Sequence, residues 1–556
     1  MLPITNLMLP AVLAATQSGW VATEEAFLVA HDPADSATYG ISVDLEEDSA
    51  FVAAYKDLHP TGVETGAVHP FERTGTTWVE GDRVFASDVQ RQLFFGSSLA
   101  VSGDTLVVGA LGYDNAGQAD AGAAYVFTHN ALGWTERARL LPSLSAPMDY
   151  FGSSVAIFGD TIVVGAPNND HDPTLDEAGS AFVFVRTGNS WTEQAVLRAR
   201  NPQTRDFFGT SVSIWGDTVV VGAPFKNSMG ATLVGAVYVF VRSGSEWTEK
   251  AAIRPPSPMS SDHFGGSVSV WDDTLAVGAQ GVDHAGIDDA GAAYLYERSG
   301  TQWSLDTMLT AHDFSDRSEF GEAISLVGDR LAVGAFDNTH SCTPFPGASY
   351  AFARTAGTWV EQAKLTASVP GSNDQFGVKV AVWGDTVFST APFDDFAGLT
   401  WAGSATVHRI TPGTSPNYCT PGTSAGGCQA WISATGVPSA TAPSGSWLNA
   451  VGVEASSDGV FFYGTQGRQT NPWGNGSSSQ CVVPPVRRTG SMSGSGVPGT
   501  CEGTFCVDLN SLWSDKPQLD PGAGAVVQAQ LWYRDPLNTS NQTTSLSDAV
   551  EFTVGP

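Results

Sequence analysis

Pairs of aspartates six residues apart recur in the chain, and their chemistry suits a hard cation. Carboxylate oxygens are preferred ligands of Ca²⁺, so weak divalent-cation binding is one interpretation of this spacing. It also suits a docking surface for a basic or glycan ligand. A structural alternative stays open, because aspartates in glycine-rich loops accept hydrogen bonds from nearby backbone N–H groups. The pairs are Asp114 and Asp120, Asp170 and Asp176, and Asp283 and Asp289.

Acidic residues dominate the charge of the whole chain. The 556 residues include 57 Asp and Glu against 26 Lys and Arg, which gives a formal net charge of −31. Such a surface repels nucleic-acid phosphates and anionic membranes, so nucleic acid is not an expected partner. Cations and basic partners fit this charge, and so does a simple need for solubility.

The aspartate loops belong to a long internal repeat, which is marked by an aromatic residue followed by glycine. The interval between successive marks is 56 or 57 residues. Each repeat contains four β-branched or alternating runs bounded by glycine-rich turns, which is typical of antiparallel strands. Seven such units predict an all-β, seven-bladed β-propeller. The marks are Tyr39, Phe95, Phe151, Phe208, Phe264, Phe320 and Phe376.

A tryptophan marks the fourth strand of each unit. The last unit has no such strand after its third, but "SGWVATEEAFLVA" (18–30) matches "GTWVEQAKLTASV" (357–369). We therefore expect the N-terminal strand to complete the seventh blade and close the ring. The Phe side chains are expected to pack between blades, and the Trp side chains to cover the edge of the neighbouring blade. The series is Trp20, Trp78, Trp134, Trp191, Trp247, Trp303 and Trp359.

The strand order predicts that one face of the disc is strongly acidic. Strand alternation places the aspartate loops, between the second and third strands, on the same face as the connections between blades. Those connections carry further aspartates, each two residues before the Phe of a mark: Asp149, Asp206, Asp262 and Asp374.

The repeat resembles the FG-GAP repeat, the blade unit of the integrin α-subunit propeller and of many bacterial surface proteins, over residues 18–410. The resemblance implies a propeller and a role in adhesion or interaction. Integrin-type blades usually carry a calcium loop between their first two strands, and here that loop is reduced to turns such as "WGDT". One carboxylate cannot provide the about six to eight oxygens that calcium takes. The aspartates of these turns are therefore predicted turn formers: Asp104, Asp160, Asp217, Asp273, Asp329 and Asp385. No cofactor is firmly expected, and weak Ca²⁺ binding is confined to the loops between strands two and three.

The remaining sequence predicts four segments and an oxidising compartment. Residues 1–16 resemble a signal peptide or a disordered start, 17–410 form the propeller, 411–427 a linker, and 428–556 a small antiparallel β-sandwich-like domain. The ending resembles a C-terminal module of secreted proteins from environmental bacteria. Cysteines cluster there, which predicts disulfides and an extracellular or cell-surface location. They are Cys419, Cys428, Cys481, Cys501 and Cys506, while Cys342 stands apart.

No catalytic motif is found, and no catalytic residue is predicted. The ten histidines are scattered, and His31-Asp32 and His312-Asp313 occupy equivalent connections, which suggests relics of the repeat. Catalytic groups collected on the propeller axis would leave no local motif, however. Three hypotheses follow: a monomeric interaction protein whose acidic face binds a protein or glycan, a lectin-like propeller, and a polysaccharide hydrolase or lyase with an axial site.

Overall fold

The structure is a computed structural model. It describes residues 20–131, 133–170, 174–228, 230–284, 286–313, 317–338, 346–367, 371–396, 398–412, 430–435, 447–453, 458–466, 468–473, 478–484, 486–489, 491–493, 503–534 and 544–554. The predicted start at 1–16, nearly all of the linker, and Cys342, Cys419, Cys428 and Cys501 lie outside these residues. Among the residues described, no helix is long and apolar enough to cross a membrane.

The repeat region consists of short antiparallel strands. They are β1 (Trp20–Leu28), β2 (Tyr39–Glu46), β3 (Ser49–Ala54), β4 (Ala67–Thr74), β5 (Thr77–Glu80), β6 (Phe95–Ser102), β7 (Thr105–Ala110), β8 (Ala123–Asn130), β9 (Gly133–Leu140), β10 (Ser154–Phe158), β11 (Thr161–Ala166), β12 (Ser180–Thr187), β13 (Ser190–Leu197), β14 (Ser211–Trp215), β15 (Thr218–Ala223), β16 (Ala236–Ser243), β17 (Glu246–Ile253), β18 (Val268–Trp271), β19 (Thr274–Ala279), β20 (Ala292–Ser299), β21 (Gln302–Leu309), β22 (Ile324–Val327), β23 (Arg330–Ala335), β24 (Ala348–Thr355), β25 (Thr358–Leu365), β26 (Val380–Trp383), β27 (Thr386–Ala391) and β28 (Ser404–Pro412).

These strands form seven four-stranded antiparallel sheets, as the repeat predicted. Blades 1 to 6 are β2–β5, β6–β9, β10–β13, β14–β17, β18–β21 and β22–β25, and blade 7 is β26, β27, β28 and β1. Strand β1 pairs antiparallel with β28, with Trp20 opposite Pro412 and Leu28 opposite Ala405. Each first strand contacts the first strands of both neighbouring blades, and β2 contacts β26, so the seven inner strands form a closed ring. The predicted seven-bladed propeller is confirmed.

The core of the propeller lies between the blades. Seven clusters of buried apolar side chains each combine residues of two adjacent blades. Between blades 3 and 4, for example, Phe208 packs with Val163 and Val183 of blade 3 and with Tyr238 of its own blade. The Phe of the mark therefore sits in an interface between blades. Trp134 lies edge-on to Phe51 of blade 1 at 5.2 Å, and Trp78 to Phe388 of blade 7 at 5.0 Å, so these two cover a neighbouring blade.

Glycines let the inner strands of adjacent blades come close. A Cβ added to Gly222 would lie 2.0 Å from the carbonyl oxygen of Gly265 in the next blade, so a larger residue cannot fit there. The same carbonyl accepts a hydrogen bond of 2.8 Å from Ser211 Oγ. Equivalent serines of other blades make the same contact at 2.7–2.8 Å: Ser42, Ser98, Ser154 and Ser267.

The C-terminal residues form three antiparallel sheets, two of which share one core. The elements are β29 (Trp431–Thr435), β30 (Trp447–Val453), β31 (Asp458–Gly464), β32 (Arg468–Trp473), β33 (Ser478–Val482), β34 (Arg487–Arg488), β35 (Met492–Ser493), β36 (Gly503–Asp508), α1 (Leu509–Asp515), a 3₁₀ turn (Pro517–Leu519), β37 (Val526–Arg534) and β38 (Thr544–Thr553). One sheet has the order β29-β30-β36, and a second has the order β34-β31-β37-β38, with β35 also paired to β31. One apolar cluster contains residues of both sheets, and β32 and β33 form the third sheet. Helix α1 was not predicted from the sequence; its Asp508 cap accepts the Ser511 N–H at 3.2 Å.

Candidate functional site

Loops and connections meet on one face of the propeller, as the strand order predicted. We call it the loop face: it comprises the loops between second and third strands and the connections between blades. Backbone hydrogen bonds link the two kinds of segment, for example Met148 N–H to Ala119 O at 2.9 Å and Ser261 N–H to Thr232 O at 2.9 Å. The opposite face carries the two-residue turns, and we call it the turn face.

The structure brings two predicted aspartate pairs together through the backbone. Asp114 Oδ1 accepts the N–H of Asp120 at 3.0 Å, and Asp283 Oδ1 accepts the N–H of Asp289 at 3.0 Å. In both loops the second residue has a left-handed φ, 53° at Asp120 and 49° at Asp289. The first carboxylate therefore closes the loop, and burial together with the charge of Asp114 raises the pKa of Asp120.

The third predicted pair is arranged differently. Asp170 Oδ1 accepts the N–H of Glu177, not of Asp176, at 2.6 Å. The Asp176 carboxylate instead lies 3.7 Å from the Arg205 guanidinium. Over the described residues, no group of three His, Cys, Asp or Glu side chains is arranged to hold a metal ion.

Two further loops close in the same way, which sequence reasoning missed. Asn227 Oδ1 accepts the N–H of Leu233 at 2.9 Å, and Asp395 Oδ1 accepts that of Trp401 at 3.0 Å. The loop of Asn227 lacks the paired aspartates. An amide oxygen serves as well as a carboxylate oxygen here, so the six-residue separation reflects loop closure rather than charge.

The connection aspartates do not contribute to an acidic surface, which corrects the sequence-based expectation. Asp149, Asp206, Asp262 and Asp374 are all buried. Each accepts the backbone N–H of the residue three positions earlier. The carboxylate caps a tight turn of its own connection, so it points into the protein.

Comparison with known sequences places the repeat in a family. The sequence model of the FG-GAP repeat matches residues 78–127, 134–184, 191–240, 247–296, 303–352 and 359–407, which together are more than half of the chain. The chain belongs to the FG-GAP repeat family. Each match begins at a fourth-strand tryptophan and ends in the third strand of the next blade. An FG-GAP unit thus includes one connection of the loop face. No curated protein matches the chain.

The loop face of the FG-GAP propeller is mixed in charge, with exposed aspartates outnumbering exposed arginines among the described residues. The arginines are Arg91, Arg200, Arg205, Arg254 and Arg317. The aspartates are Asp32, Asp35, Asp114, Asp170, Asp176, Asp283, Asp288 and Asp395.

The same face also exposes large apolar side chains, which sequence reasoning did not single out. Met148, Met259 and Trp401 expose 57%, 55% and 52% of their surface. The sequence does offer one signal for them, because methionine and tryptophan occur within otherwise polar loops. The full set on this face is Leu58, Val89, Leu144, Met148, Leu233, Met259 and Trp401.

One of the two histidine–aspartate pairs of the FG-GAP connections takes part in internal ion pairs. His312 Nδ1 lies 2.6 Å from Glu361 Oε1, and Asp313 Oδ2 lies 2.6 Å from Lys364 Nζ. Burial opposes the charged imidazole, but the Glu361 and Asp313 carboxylates outweigh it and raise the pKa of His312 to about 9. In the equivalent connection, His31 uses its backbone N–H to bond Glu80 at 3.1 Å. The two pairs do not share one dyad geometry.

Proposed function

We propose that this FG-GAP propeller is an interaction protein that binds a partner protein through its loop face. The proposal rests on the exposed apolar side chains that this face presents. Of eleven exposed large apolar residues among those described, seven lie there, three on outer strands and one in the C-terminal domain. Apolar patches rimmed by polar residues are typical of protein-binding surfaces.

The partner that fits best combines basic and apolar side chains. The loop face has an excess of exposed aspartates, and the chain has a net charge of −31. Complementary charge speeds encounter and rejects wrong partners, whereas buried apolar anchors supply most of the affinity. We further propose that the protein acts outside the cell; its family membership and its cysteine-rich C-terminal region support this.

Ion pairs among the titratable side chains inside the blades favour binding over catalysis. Two histidines and two lysines of the propeller are engaged in ion pairs, among them His69 with Glu80 at 2.7 Å and Lys226 with Asp206 at 2.7 Å. These contacts fix the blades and leave the groups little freedom to exchange protons with a substrate.

A glycan ligand is the second candidate, and one residue favours it. Trp401 presents an exposed indole in the second loop of blade 7, where a sugar ring could stack. The arrangement of exposed Met and Leu around the rest of the face suits a protein better.

Peptide and glycan arrays, probed side by side with the full chain, test the proposal. We expect retention of peptides that contain both basic and apolar residues, and no retained glycan. Retention of glycans alone would overturn the protein-partner proposal in favour of a lectin.

A matched variant locates the contact. Asp114→Asn, Asp283→Asn and Asp395→Asn together remove three charges but keep the loop-closing oxygen, as Asn227 does naturally in blade 4. We expect this triple variant to bind the selected peptides more weakly, most of all at low salt. The control is Asp306→Asn, which removes an exposed charge from an outer strand.

A further inference from the structure

The turn face contains a cluster of aromatic rings where the inner strands converge. One residue in each inner hairpin stands directly before the two-residue turn. All seven are half-buried: Glu46, Ser102, Phe158, Trp215, Trp271, Val327 and Trp383. They share one register position, opposite the residue that opens the second strand, as in Trp215 with Thr218 and Trp271 with Thr274. The seven therefore lie at one level around the propeller axis.

Four of these residues are in ring contact across blades. The Trp215 and Trp271 rings lie 3.8 Å apart between centroids and 34° from parallel. Phe158 lies 4.7 Å from Trp215, and Trp271 lies 5.9 Å from Trp383. The last contact passes over blade 6, where the small Val327 stands. The rings thus extend inward over the end of the axis.

The remaining arc of the ring, in blade 1, presents two carboxylates. Glu46 occupies the shared level, and Asp44 points the same way one step deeper on β2. Both are held by backbone donors: Val101 N–H to Asp44 at 2.8 Å and Gly103 N–H to Glu46 at 2.6 Å. Trp383 packs against the core that blades 7 and 1 share, and β26 contacts β2, so the aromatic and acidic arcs are neighbours in the ring.

No cation of the described residues balances these two carboxylates. Neither Asp44 nor Glu46 takes part in an ion pair there, and burial raises the pKa of Asp44 to about 7 and also raises that of Glu46. Elsewhere in the propeller, carboxylates near the turns are matched, as Asp217 is by Arg242 at 2.6 Å and Asp273 by Arg298 at 2.6 Å.

We propose that this end of the axis is a binding site for one alkylammonium group, of the kind carried by a lysine side chain. Indole faces attract cations through their quadrupole, most strongly where water is excluded. The carboxylates of Asp44 and Glu46 supply the opposite charge. The site is separate from the loop face, so it stands or falls independently of the proposed function.

A pair of probes that differ only in charge tests the proposal. N-acetyl-lysine methylamide and N-acetyl-norleucine methylamide are titrated into the full chain and followed by NMR. We expect the lysine derivative to bind at millimolar concentration or below, and the norleucine derivative not to bind. Equal binding of both, or binding of neither, would overturn the proposal and leave the rings as an apolar plug of the axis.

Variants show whether the named side chains hold the probe. Asp44→Asn with Glu46→Gln removes both charges and keeps one oxygen at each position to accept a backbone N–H. This variant should weaken binding about tenfold, as should Trp271→Leu. Trp303→Leu, which removes a half-buried tryptophan from an outer strand, should have no effect. Unchanged binding in the Asp44→Asn, Glu46→Gln variant would contradict the site. Cadaverine, a free amine, distinguishes the two sources of the alkylammonium group. An affinity equal to that of the lysine derivative indicates a free amine as the ligand, and a weaker affinity indicates a lysine side chain.

Discussion

The Lys226 ammonium lies 2.7 Å from the Asp206 carboxylate, and both side chains are buried inside the propeller. The same two positions of the repeat carry other pairs in other blades. In blade 3, Asn169 Nδ2 donates to Asp149 Oδ2 at 2.9 Å. In blade 7 the positions hold two acids, Asp394 and Asp374. The same two positions therefore hold an ion pair in blade 4, an amide with a carboxylate in blade 3, and two acids in blade 7.

Lys226→Met should destabilise the propeller by about 3 kcal/mol, because it leaves the Asp206 carboxylate buried without its counter-charge. Lys226→Asn should lower the free energy of unfolding clearly less, since an asparagine here can donate to Asp206 as Asn169 donates to Asp149 in blade 3. The free energy of unfolding from urea titrations checks both. A Lys226→Met variant as stable as the wild type would show that the pair does not stabilise the blade.

Asp394→Asn should stabilise the protein above neutral pH. Burial and the Asp394 charge raise the pKa of Asp374 from 3.8 to about 7. The folded state then binds this proton more tightly than the unfolded chain, so stability falls as pH rises from about 4 to about 7. An asparagine can accept from Ser404, as Asn169 accepts from Ser180 at 2.9 Å, and can donate to Asp374. Melting temperatures should rise at about pH 8 and change little at about pH 4. An equal rise in melting temperature at both pH values would contradict the raised pKa of Asp374 as the cause.

Gly222→Ala should destabilise the propeller strongly. The added methyl carbon would lie 2.0 Å from the Gly265 carbonyl, and backbone of the adjacent blade cannot move aside without breaking the Ser211 hydrogen bond. We expect a loss above about 2 kcal/mol. Gly81→Ala is the matched control, because the nearest atom to its added Cβ lies at 3.8 Å and its φ is not left-handed. Similar melting temperatures for the two variants would be the contrary result.

Calcium should not stabilise the described loops. Asp114 and Asp283 each use one carboxylate oxygen to close their own loop, which leaves too few oxygens for a calcium site. The melting temperature should be the same in millimolar calcium and in chelator, since a ligand of the folded state would raise it. A rise that Asp114→Asn or Asp283→Asn abolishes would restore the metal hypothesis.

The propeller could be predicted from the sequence because the same pattern of strands and turns recurs seven times. Local sequence features predicted each part of the fold. They are Phe208 and its equivalents, the Gly-Asp turns, and the tryptophan strand at the N-terminus. The two proposed binding surfaces carry no such signal. Asp206 lies in a loop, yet it is buried because its connection turns inward, and spacing alone does not reveal this. Trp215, Trp271 and Trp383 meet only because the ring closes, and each stands in a different repeat with no neighbour in sequence.

The most direct test of the loop-face proposal uses its apolar residues. Met148→Ser, Met259→Ser and Trp401→Ser together remove three exposed side chains, and Val79→Ser with Leu305→Ser removes comparable ones from outer strands. Calorimetry measures the affinity of each variant for the tightest peptide of the array. We expect the loop-face variant to bind about tenfold or more weakly and the outer-strand control to bind like the wild type. Equal affinity of all three proteins would contradict the proposal.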